Sequence, residues 1–86
     1  MQSRVTRRFW SLFSDLPLDI QRDARRAYRS FLDNPRHPGL QFKKLEGEDH
    51  IYSARIGLGY RALALMEGDR VVWHRIGSHA DYDRLV

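Results

Sequence analysis

The chain has 86 residues, 42% of them apolar and 12% aromatic, a net charge of +4 and no cysteine. That length allows one core rather than two, and the apolar share is too high for a disordered chain. The missing thiols exclude a disulfide framework and a thiolate zinc site, and no run of about 18 apolar residues exists to span a bilayer.

MQSRVTRRFW carries charge without a following apolar stretch, so no secretory signal is expected and the cytoplasm is the default location. A first helix is predicted over about residues 4–15. Val5, Phe9, Leu12, Phe13 and Leu16 fall on one stripe at helical spacing. Pro17 ends that helix, because the residue before a proline is pushed out of the α region. Proline also suits the start of a new helix, with Asp19 favoured by the helix dipole.

The second helix, over about 17–33, repeats the spacing with Ile20, Ala24, Ala27, Tyr28 and Phe31. Arg22, Arg26 and Arg29 lie on its outer face, with Arg25 alongside. Asn34-Pro35 stops it, and the two helices read as an antiparallel hairpin joined at Leu16-Pro17. Residues 1–36 hold eight arginines against four aspartates, while residues 37–86 balance seven basic against seven acidic residues. All the excess charge is therefore arginine in the helical part. Arginine forks onto phosphate or carboxylate, so a nucleic acid or an acidic protein segment fits as well as a solvated face.

PRHPGL is a rigid connector, after which the period falls to two. Strands are predicted over about 40–45, 51–56, 60–67 and 70–77, with turns at Gly47-Glu48-Asp49, Gly57-Leu58-Gly59 and Gly68-Asp69. In the third, Arg61, Leu63 and Leu65 share one face, opposite Tyr60, Ala62, Ala64 and Met66. In the last, strict alternation sets Val72, His74 and Ile76 against Val71, Trp73 and Arg75. Trp10 and Trp73 are assigned to the core. MQSR leaves little room for a further edge strand. The expected architecture is α+β, an N-terminal helical hairpin packed on one face of a three- to four-stranded antiparallel sheet. One hairpin covers one face only, leaving the other open.

The chain has no phosphate-binding glycine loop, no HExxH and no GxSxG. Its four histidines have no helical metal spacing, so neither metal nor cofactor is expected. What remains is a basic set: Arg61, Lys43 and Lys44, with His79, Asp81 and Tyr82 near the end. RNA is one substrate such a set can cut without metal. The ribose 2′-OH attacks its own phosphate once a base takes its proton, a cation offsets the growing charge, and an acid protonates the leaving 5′-oxygen. Plainer roles exist for each: His79 capping a sheet end, Tyr82 packing its ring, and the lysines simply solvated.

KKLEG, the block IYSARIGLGYRAL and the closing GSHADYDRL, in this order behind two helices, resemble the RelE/ParE superfamily of type II toxin–antitoxin toxins. The resemblance spans nearly the whole chain. It implies the α+β fold above and a small antitoxin as partner. RelE-type members cut mRNA on the ribosome without metal; ParE-type members share the fold and poison DNA gyrase. By this resemblance Arg61 is the arginine that contacts the scissile phosphate, His79 is a catalytic histidine, and Tyr82 is a C-terminal aromatic that orients or stacks on substrate. Lys43, Lys44, Arg22, Arg26 and Arg29 would hold RNA backbone. The lysines that RelE carries on the strand before GYR are replaced by Tyr52 and Ala54, which leaves Glu46, Tyr82 and His79 as alternatives for the general base. The retained arginine and terminal histidine tilt the expectation towards RNA cleavage.

Overall fold

The computed structural model describes residues 2–47, 49–78 and 80. Thr6 decides how the chain begins. Its hydroxyl accepts the Phe9 N–H at 3.1 Å, an N-cap that starts α1 (Arg7–Ser14) and leaves the preceding residues extended. Those residues form β1 (Gln2–Val5), paired in parallel with the last strand so that Ser3 faces Val71 and Val5 faces Trp73. The helix expected from about residue 4 therefore starts later. Val5 fits the helical stripe by spacing, but its partner is a strand distant in sequence.

Pro17 caps α2 (Leu18–Asp33), which ends at Asn34 before Pro35. Gln21 ties the two helices by donating to the Leu16 carbonyl at 3.0 Å, and the Arg25 guanidinium lies 5.3 Å from the centre of the Phe13 ring. Ala24 and Phe31 point into the core. Beyond α2, Pro38–Leu40 makes one 3-10 turn and Gln41 takes a left-handed conformation, φ 46°. Extended structure is thereby confined to the two residues of β2 (Lys43–Lys44), where the sequence suggested a strand over 40–45.

With β3 (Ile51–Ile56), β4 (Tyr60–Glu67) and β5 (Arg70–Ser78), the sheet has five strands in the order β1-β5-β4-β3-β2. The β1–β5 pair is parallel and the rest antiparallel. The α+β class is the expected one; the sheet is larger and mixed because Gln2–Val5 does supply an edge. A hydrogen bond of 2.8 Å between the Ser3 and Tyr28 hydroxyls joins that edge to α2.

The helices cover the sheet face that carries Ala54, Ile56, Ala62, Ala64, Val71, Trp73 and Ile76. Trp73 is its centre, with the Phe31 ring edge-on at 5.2 Å and Phe42 at 6.0 Å. Trp10, expected in the core, is instead 49% exposed. It sits one position round α1 from Phe9, off the buried stripe, at the lip of an apolar cleft of about 320 Å³ between the helices and the sheet.

Strict alternation fails in β5. Ala64 faces Trp73 but Leu63 faces Arg75, so His74 is an extra residue in a β-bulge. Trp73 and Ile76 consequently both point into the core, and His74 and Arg75 both point to the opposite face. This corrects the expected sets, in which Ile76 shared a face with His74 and Arg75 shared one with Trp73.

Candidate functional site

The face turned away from the helices carries cations of its own. Side chains alternate along a strand, so Ser53 and Arg55 of β3 share this face with Arg61, Leu63 and Leu65 of β4. Lys43 of β2 lies opposite Ser53, and Arg4 of β1 opposite Val72.

Arg61 and Arg55 stand directly across from each other, an unfavourable placement for like charges. Each is drawn aside. The Arg55 Nε donates to the Gly57 carbonyl at 2.8 Å, pulling that guanidinium towards the β3–β4 turn. Arg61 leans the other way, its Nη1 donating to the Ser53 hydroxyl at 3.1 Å. Ser53 has no exposed surface, so the anchor is rigid. Because Ser53 pairs with Lys43, the lean carries the Arg61 guanidinium towards that lysine.

Among the described residues no carboxylate pairs with Arg61. A guanidinium has five N–H donors, and a neutral hydroxyl occupies one of them here. The remaining donors are available to an anion, and phosphate matches their fork geometry. Gly77, which has no side chain, lies opposite Arg61, and β5 ends at Ser78 opposite Tyr60. The C-terminal end of β5 thus lies beside Arg61.

The other sequence-predicted residues divide. Lys43 is on the face of Arg61. Lys44 pairs with Tyr52, whose ring stacks on Phe42 at 5.1 Å, and so belongs to the helix side of the sheet. Arg22, Arg26 and Arg29 are exposed on α2, with the sheet between that helix and the face of Arg61. Arg26 helps line a cleft of about 220 Å³ with Asp23, His37 and Gly57. Glu46 is exposed in the turn after β2. His79 and Tyr82 lie outside the described residues.

Sequence reasoning passed over Ser53, although its alternation with Arg55 could have shown it. It also passed over the pairing of His74 with Arg75, for which an unanticipated bulge left no signal. His74 is held below the ordinary histidine value by burial first, then by the charges of Arg75 and Arg8. It is therefore neutral at neutral pH.

Two helices on one face of a mixed sheet, with a cationic opposite face, define the RelE-like class of small α+β domains. The chain aligns over 96% of its length with 99% of a chain in the RelB–RelE antitoxin–toxin complex from Methanococcus jannaschii, at TM-score 0.72 and 20% identity. The Escherichia coli RelE toxin is similar at TM-score 0.68 and 16% identity, over 99% of this chain and 98% of that one. A chain in the RelBE2 toxin–antitoxin complex from Mycobacterium tuberculosis is 30% identical, at TM-score 0.64 over 93% of this chain and 92% of that one. No curated protein sequence matches. The model of the ParE-like toxin domain family matches residues 18–84, and the chain belongs to that family, a toxin of the RelE/ParE superfamily.

Proposed function

We propose that this toxin is a metal-independent endoribonuclease that cuts mRNA on the ribosome and is neutralised by a cognate antitoxin. The observation that carries the reading is the Arg61 guanidinium, anchored by buried Ser53, turned towards Lys43 and unpaired with any described carboxylate. The similarity to toxin chains in antitoxin complexes from M. jannaschii and M. tuberculosis supports the antitoxin as partner.

In this mechanism a base removes the 2′-OH proton, the 2′-oxygen bonds to phosphorus, and the bond to the 5′-oxygen breaks. Products are a 2′,3′-cyclic phosphate and a 5′-hydroxyl. Arg61 offsets the charge that builds on the non-bridging oxygens, where a preoriented donor helps most. His79 serves as general acid for the leaving oxygen, or as the base, for which Glu46 and Tyr82 are the other candidates. Tyr82 orients or stacks on the nucleotide. Lys43 flanks the RNA backbone beside Arg61, while Lys44 and the arginines of α2, on the helix side of the sheet, engage RNA at a distance from the cut.

A second reading, inhibition of DNA gyrase as ParE-type members do, draws on the match to the ParE-like family. Purified toxin added to mRNA-programmed ribosomes separates the two. Cleavage within codons by the wild type, lowered about 100-fold or more in His79→Ala, supports the nuclease. Intact mRNA together with blocked gyrase supercoiling, unchanged in His79→Ala, sinks it.

A further inference from the structure

The β-bulge in β5 creates a second cationic group on the face of Arg61. His74 and Arg75 project side by side there because both lie between the inward Trp73 and Ile76. The Thr6 N–H donates to the Trp73 carbonyl at 3.0 Å, so α1 begins beside the bulge and brings Arg8 close enough to act on His74. Arg4 shares the face from β1, opposite Val72. The β4 neighbours, Leu63 and Leu65, carry no charge. Among the described residues no carboxylate pairs with Arg75, Arg4 or Arg8.

A sheet does not hold this cluster for stability. The Arg75 and Arg8 guanidiniums both act on His74, Arg4 adds a further like charge from β1, and an anion relieves the repulsion among them. Arg75 and Arg61 are diagonal neighbours across β4 and β5, about 7–8 Å apart at Cα. One flexible polyanionic strand can therefore place phosphates at both.

We propose that His74 and Arg75, flanked by Arg4 and Arg8, form a second phosphate subsite, holding the RNA backbone next to the phosphate bound by Arg61. The proposal rests on the endoribonuclease reading and adds to it where the strand runs: across β5 towards β1, away from Lys43. Arg75 supplies the permanent charge. His74 adds charge as pH falls, when a bound phosphate offsets the repulsion of Arg75 and Arg8.

The test is binding of a fluorescent 2′-O-methyl RNA oligonucleotide, which cannot be cut, to the full chain across a salt series. Arg75→Gln keeps most of the side-chain stem and should weaken binding about tenfold and lower the slope of log K against log salt by about 0.7. Affinity of the wild type should rise between pH 7.5 and 5.5 by more than that of His74→Gln. Thermal melting of each variant reports whether it is folded. Unchanged affinity and slope in a folded Arg75→Gln, with Arg61→Ala still weakened, overturns the subsite while leaving the nuclease reading intact. No RNA binding by the wild type even at low salt overturns both. If Arg75→Gln loses binding to a polyglutamate peptide while RNA binding is unaffected, the site is one for acidic peptide and the proposal fails.

Discussion

Arg61 and Ser53 are joined by a hydrogen bond of 3.1 Å in which the buried hydroxyl fixes the arginine, rather than a carboxylate neutralising it. The other guanidinium N–H donors are left without a carboxylate among the described residues, which suits them to an anion. A lysine at position 61 would keep the charge and lose the fork. Arg61→Lys should lower turnover on ribosome-bound mRNA about 100-fold with an unchanged melting temperature, a loss typical of removing one transition-state donor. Cleavage within a factor of two of wild type would show that the guanidinium does not meet the phosphate.

Ser53→Ala tests the anchor alone. The methyl group fits the buried site, and the freed Arg61 N–H turns to solvent. Turnover should fall by less than in Arg61→Lys, about tenfold, because misplacement costs less than loss of the donor. The pH profile of cleavage should keep its shape, since no titrating group has changed.

Phe31 packs its ring edge-on against Trp73 and is 3% exposed, docking α2 onto the sheet. Phe31→Ala should cost about 3–5 kcal/mol. At about 4–8 °C per kcal/mol for a domain this small, thermal unfolding should come at least 12 °C earlier.

Thr6→Ala removes the cap of α1 and should cost about 1 kcal/mol in urea unfolding. The effect should be accompanied by faster amide exchange in residues 2–5, because the cap also ends β1. Exchange confined to α1 would separate the two elements.

His74 gives a stability signature with a definite sign. Its folded value lies below the ordinary 6.5 because of burial, then Arg75, then Arg8. Between the folded value and 6.5 the unfolded chain binds more protons, so stability rises with pH through that window and levels off above it. Urea unfolding of His74→Gln should lack this part of the slope while matching the wild-type trend above pH 7.

Much of the architecture is legible in the residues themselves. Ala62, Ala64 and Met66 alternate cleanly with Arg61, Leu63 and Leu65, and the β4 faces follow from that alone. The burial of Phe9 and Phe13 follows from helical spacing in the same way. What resists reading is set by contacts distant in sequence. Val5 belongs to a strand because Trp73 is there to pair with it, and one extra residue at His74 reverses the expected side of Arg75 and Ile76. For the candidate site, Arg61 comes from its place in the GYR block; alternation puts Ser53 on the face of Arg55, and its contact with Arg61 appears once β3 and β4 are in register. The separation of Lys43 from Lys44 likewise needed the pairing with Ser53 and Tyr52.

The most direct measurement is a map of RNA 5′ ends in cells expressing the wild-type chain or Arg61→Ala at matched levels, with the chemistry of each end determined. The account predicts new 5′-hydroxyl ends within coding regions for the wild type and none for the variant. Growth arrest by both proteins without new ends, accompanied by a DNA-damage response, would contradict it and direct attention to gyrase.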